Sequence, residues 1–174
     1  MTAVELRPVS TEDRPIVERL WQLYRHDLSE FRGEHTANGV RGTIPGEDGT
    51  FNMRGLLPFL EADPDRAAYL VYRGASPVGF VFVSGLAARS RLMSEFFVVR
   101  GARRQGVAGA AVRELLARHP GEWEIPFQDN NVAAARFWRA MAIDIAGNAV
   151  REELRPVPNK PEIPPDVWIT LTVV

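Results

Sequence analysis

The sequence contains no cysteine, which excludes a disulfide framework, a thiolate nucleophile and cysteine-ligated zinc or iron–sulfur. Histidine is scarce: His26, His35 and His119 are scattered, without the i, i+4 pairing of a metal-binding helix, so no metal is expected. No apolar run approaches the roughly 20 residues that cross a bilayer. The opening MTAVELRPVSTEDR lacks a basic head followed by an apolar stretch, so the expectation is a cytoplasmic protein without a membrane role. An excess of one charge is also missing: 21 Lys and Arg stand against 22 Asp and Glu. The whole chain therefore has no general attraction for nucleic acid or anionic lipid, and phosphate recognition must come from a local cluster. Internal repeats and low-complexity tracts are absent as well. What is present, 174 residues with 45% hydrophobic and 25% charged, fits one globular domain over residues 1–174.

Periodicity divides the chain into alternating elements. VELRPV reads as a first strand, and Ser10 with Asp13 three residues on reads as a capping-box start to a helix. In that helix Ile16, Val17, Leu20, Leu23 and Tyr24 fall on one core-facing stripe. Gly33–Thr50 is Gly-rich and polar and reads as a long loop, followed by a short helix at Met53–Ala62. Ala67–Tyr72 and Val78–Ser84 read as a hairpin around Gly74 and Pro77, and Ser94–Val99 as a further strand. Arg100–Gly109 is then a loop leading into the helix Ala110–Arg118. Trp123–Gln128 is a short strand whose Pro126 cannot donate to a ladder, which predicts an edge or a splayed strand. A helix at Asn131–Ala142 and strands at Ala149–Arg155 and Val167–Val173 complete the chain, the last two joined by the proline-rich PVPNKPEIPP. The final strand, read as exposed, could pair across a homodimer.

The segment Arg103-Arg104-Gln105-Gly106-Val107-Ala108-Gly109 has what a phosphate cradle needs at a strand-to-helix junction. Gly106 can adopt backbone angles closed to other residues, and small Ala108 and Gly109 leave the first helical turn open. The unpaired N–H groups of that turn point at an anion, aided by the helix dipole, and Arg100, Arg103 and Arg104 supply local positive charge. The spacing matches neither a P-loop nor a dinucleotide-binding fingerprint. Taken alone, the segment is equally an ordinary surface turn.

A second element stands downstream: Asn131-x-x-Ala134-x-x-Phe137-Trp138. With Arg103, Gly106 and Ala108 matching Gln/Arg-x-x-Gly-x-Gly/Ala, and a strand between the two, the chain resembles the GNAT N-acetyltransferase superfamily over nearly its whole length. More narrowly, EFFVVRGARRQGVAG, GEWEI and NVAAARFW look like a bacterial subgroup of predicted acetyltransferases. The resemblance implies an α/β (α+β) fold with a mixed central sheet of about six to seven strands, a splayed parallel pair and flanking helices. It implies acetyl-CoA as cosubstrate and an amine acceptor attacked directly in a ternary complex. Phe97, Val98 and Val99 would pair with the pantetheine arm through their backbones, and Arg103, Arg104, Gln105, Gly106, Val107, Ala108 and Gly109 would hold the pyrophosphate. Asn131 would sit near the pantetheine and Phe137 would pack under the cofactor.

For the chemistry, the resemblance points to a backbone N–H of Val98 or Val99 as oxyanion donor. Glu95 is the candidate base, a carboxylate between aromatic neighbours; the competing reading is a solvent-facing partner of Arg89 or Arg91. Tyr24, His26 and Asp27, at the end of the first helix, are candidate acceptor-binding residues, and Tyr24 could also move a proton; helix-surface or capping roles compete. Trp21 and Trp123 read as core or cofactor-wall residues. The family often has a tyrosine acid where this chain has Trp138, whose indole releases no proton under working conditions. That departure keeps a second reading open, a catalytically idle CoA-binding module. RNA binding is a third, disfavoured because stacking aromatics are not interleaved with the basic cluster.

Overall fold

The computed structural model describes residues 3–32, 44–158 and 163–173. Within them, seven strands form one sheet in the order β1-β2-β3-β4-β5-β7-β6. The strands are β1 Val4–Pro8, β2 Arg66–Arg73, β3 Ser76–Ser84, β4 Ser90–Val98, β5 Gly121–Phe127, β6 Arg151–Arg155 and β7 Asp166–Val173. All neighbours are antiparallel except β4 and β5. Among the described residues three α-helices flank the sheet: α1 Arg14–Arg32, α2 Val107–Arg118 and α3 Val132–Ala146. None of the described helices is long and apolar enough to cross a membrane.

The two faces follow from strand alternation. On β3, Phe80 and Phe82 join Val17, Leu20 and Trp21 of α1, while Val81 and Val83 join the apolar faces of α2 and α3. Covered on both sides, β3 reads as a continuous apolar run. The α1 stripe closes through Val17, Leu20 and Trp21, but Leu23 is 51% exposed. At about 100° per residue it falls some 120° round from Val17, beyond the edge of the buried face. The start of the helical stretch is as expected, the Ser10 N–H donating to Asp13 Oδ2 at 2.9 Å.

Two expectations are corrected. Val167–Val173 is no exposed edge: β7 lies between β5 and β6, and β6 forms the edge. REELR puts charge on that edge, which blunts pairing with another chain. In place of a helix over Met53–Ala62 there are turns around a single 3-10 turn, Leu57–Phe59, whose Pro58 cannot extend a hydrogen-bonded run. Residues 33–43 of the predicted Gly33–Thr50 loop and residues 159–162 of PVPNKPEIPP lie outside the described residues.

Candidate active site

The parallel pair opens partway along its length. β4 and β5 are in register at Ser90 with Glu122, Arg91 with Trp123 and Leu92 with Glu124, and there the ladder ends. Both strands run on, β4 along β3 to Val98 and β5 along β7 to Phe127. Two sequence features mark the parting. Pro126 lies just beyond the last paired residue, where a missing donor leaves no β4 partner unsatisfied. Ser94 is an extra residue on β4: Phe82 pairs with Glu95 and Val83 with Met93, leaving a β-bulge pinned by a Ser84–Ser94 hydroxyl contact of 2.8 Å. The bulge puts Met93 and Glu95, two apart, on opposite faces. Met93 packs with the α2–α3 core, whereas Glu95 accepts a short hydrogen bond from Tyr24 Oη of α1.

A cavity of about 180 Å³ fills the gap, lined by Tyr24, Leu28, Glu95, Phe96, Asn131 and Trp138 among others. Tyr24 and Leu28 reach it from one face of α1, four residues apart. Phe96 points the other way, its ring 6.0 Å from Phe137 and nearly parallel to it, and Trp138 packs edge-on to both. Asn131 caps α3, its side-chain oxygen accepting from the Ala134 N–H at 3.2 Å.

Beyond the end of β4 the chain turns into α2. Gly106 is the N-cap, with φ +78, and no side chain caps the helix. A Cβ at Gly106 would point into open space. The first ladder bond runs from the Ala110 N–H to the Gly106 carbonyl at 3.0 Å, so the amides of Val107, Ala108 and Gly109 precede it. Arg104 is also left-handed, at φ +59. A residue with a side chain in that region costs about 1 kcal/mol or more, a strain that marks the loop as constrained.

The arginines divide. Arg103 donates from Nε to the Val98 carbonyl at 2.7 Å and pairs with Asp27, which also takes Arg100 Nε at 3.0 Å. Asp27, proposed from sequence for the acceptor, therefore faces the loop side, its side chain only 17% exposed. His26 is 73% exposed and is not among the cavity's lining residues. Of the three α1 candidates, Tyr24 alone lines the cavity. Gln105 straps the loop through Nε2 to the Gly101 carbonyl at 2.7 Å.

The main chain of β4 divides as well. The Val99 N–H donates to the Val78 carbonyl at 2.9 Å. Antiparallel alternation then commits the Phe97 peptide to β3 and turns those of Val98 and Phe96 towards the gap. Between Val98 and Val99, only the Val98 amide faces the gap. Trp21 and Trp123 are core residues, 1% and 0% exposed. Arg89 approaches Glu122 rather than Glu95, and Arg91 packs against Gly121. The Tyr24–Glu95 contact, spanning 71 positions, had no local signal in the sequence.

No family model matches the sequence, and no curated protein matches it significantly. Solved structures do. An acetyltransferase from Thermus thermophilus aligns at 20% identity over 99% of this chain and 100% of that one, with a TM-score of 0.64. An acetyltransferase of the GNAT family from Staphylococcus aureus aligns at 13% identity over 99% and 100%, with a TM-score of 0.57. The ribosomal-protein-S18-alanine N-acetyltransferase from Escherichia coli aligns at 11% identity over 98% and 94%, with a TM-score of 0.61. The parted parallel pair, the glycine-capped helix beside it and these alignments over nearly whole chains establish that the protein has the fold of the GNAT acetyltransferases.

Proposed function

We propose that the protein is an acetyl-CoA-dependent N-acetyltransferase that acylates the primary amine of a small molecule or protein in a ternary complex. The observation that carries the reading is the succession of two openings in the chain, the strand gap beside the end of β4 and, soon after it, an α2 N-terminus with no side-chain cap. Each suits a different part of an acyl-CoA. The amides from Arg104 to Gly109, with the charge of Arg104, would hold the pyrophosphate, and the open space at Gly106 lets it approach the main chain. The Phe96 peptide would receive the extended arm as a further strand would, which leaves the Val98 N–H for the reacting carbonyl. Phe137 would pack beneath it, and Asn131 would stand beside it at the cavity wall.

The residues supply what aminolysis of a thioester requires. The Val98 N–H would stabilise the oxyanion, and Glu95 would accept the proton released by the attacking nitrogen. A second reading, a catalytically idle CoA-binding module, draws on Trp138, which fills a place where a proton donor is expected. Incubation with acetyl-CoA and a panel of small amines and amine-bearing peptides separates the two. Catalysis predicts amine-dependent appearance of free thiol. Tight CoA binding with no thiol release for any amine would favour the idle module.

A further inference from the structure

The cavity supplies a proton donor that α3 lacks. We propose that Tyr24 and Glu95 act as one proton-handling pair, Glu95 taking the proton from the amine and Tyr24 giving one to the departing sulfur. The inference rests on the N-acetyltransferase reading above. Among the described residues that line the cavity, three carry titratable side chains, namely Tyr24, Glu95 and Asp166. Asp166 stands on β7, on the far side of β5 from β4. Tyr24 and Glu95 come from elements 71 positions apart and meet directly, the phenol donating to Glu95 Oε2.

The surroundings hold the phenol in one place. Its ring packs against Trp21 at 5.4 Å, edge-on against Phe80 at 5.5 Å and against Phe97 at 5.7 Å. Gly55 lets its own backbone lie close: a Cβ there would come within 2.8 Å of Trp21, with Glu95 Oε1 next at 3.7 Å. An aromatic box around a phenol hydrogen-bonded to a carboxylate is a preorganised donor–acceptor pair. Trp138, on the α3 side, lines the same cavity, but its indole N–H is a donor that does not ionise.

The step balances without any further reagent. The amine nitrogen attacks the thioester carbonyl carbon, a C–N bond forms and the C–S bond breaks. One N–H proton passes to the Glu95 carboxylate and the Tyr24 phenolic proton passes to sulfur. Tyr24 then recovers a proton from Glu95 along the hydrogen bond already present, leaving amide, thiol and both residues restored. An ordinary phenol near pKa 10 and a thiol near 8.5 are close enough for transfer within the transition state.

The test compares Tyr24→Phe, Glu95→Gln and the double variant. Each single change should lower kcat by about 100-fold while the Kd for CoA, read by calorimetry, stays within about twofold. The double variant should lose no more than the worse single, because the two act as a unit. The alkaline fall in the kcat–pH profile should disappear in Tyr24→Phe. In the protein without ligand, the carbon-13 resonance of the Glu95 carboxyl should titrate at higher pH in Tyr24→Phe, since a donor to its charged form is lost. Wild-type kcat in Tyr24→Phe, or a double variant whose loss equals the product of the singles, overturns the pair while leaving the acetyltransferase reading intact. Absence of thiol release by the wild type with every amine overturns that reading, and the pair with it.

Discussion

The paired and parted halves of the β4–β5 couple use the same two strands to opposite ends. Between Ser90 and Leu92 the strands are in register, and Trp123 beneath them is fully buried among Leu115, Leu116 and Leu171. From Met93 and Ile125 onward there is no ladder, and the walls carry Glu95, Gln128 and Asn131 beside Phe96 and Trp138. The difference lies in how the backbone is routed, because a bulge at Ser94 and a proline at 126 stand where pairing stops. The buried core lies where the strands are zipped, and the cavity where they are not. A fold can hold an opening beside its core only if each strand keeps its outer partner, which β3 and β7 provide.

This contrast predicts separable effects. Trp123→Ala, on the paired side, should cost about 3–5 kcal/mol in a denaturant titration, with CoA affinity kept under conditions where the variant stays folded. A large affinity loss in the folded variant would erase the division. Asn131→Ala, at the mouth, should cost about 1 kcal/mol through loss of the helix cap, measured the same way. Its CoA affinity should fall no more than about threefold, since the side-chain oxygen is already engaged by Ala134. Asp27→Asn removes the countercharge that Arg100 and Arg103 share, so CoA affinity at low salt should rise about twofold and the gain should fade as salt increases.

The smallest effect concerns pH and belongs to the paired end. His119, at the end of α2, is held below the ordinary imidazole pKa first by burial and then by Arg91 and Arg118. Its neutral ring meets Tyr69 Oη at 2.7 Å, and burial pushes that phenol upward. The unfolded chain takes up a proton below about pH 6.5 that the folded ring resists, so this contribution is present above that pH and is lost on acidification. Tm should fall between pH 7.5 and 5.5, and less so in His119→Gln. CoA binding should follow neither change.

Features governed by neighbours in the chain were legible from sequence. The β3 run, the Ser10–Asp13 start and the Gly106 turn each depend on a few adjacent residues, and each appears as read, whereas Asn131, read as the first residue of a helix, is that helix's cap. Pro126 pointed to an edge or a splayed strand because a missing N–H is a local fact, and the second holds: β5 parts from β4 but lies between β4 and β7. Leu23 misled because its spacing fits a stripe whose width only the packed partner defines. The edge was misplaced because β7 inserts between β5 and β6, an ordering no local pattern encodes. Asp27 looked like an acceptor residue until two arginines some 75 positions away claimed it. The Ser94 bulge, which turns Glu95 towards α1, is visible only against the register of β3.

The central claim, that the parted pair and the α2 N-terminus together form an acyl-CoA site, is tested most directly by calorimetric titration of acetyl-CoA into the wild type and Gly106→Trp. A Cβ at position 106 meets open space in the fold, and the left-handed backbone there costs about 1–2 kcal/mol, so thermal melting should find the variant folded. The account predicts micromolar, one-to-one binding by the wild type and a loss of at least about 100-fold in the variant. Equal affinity in the two proteins, or no heat with either, would contradict it.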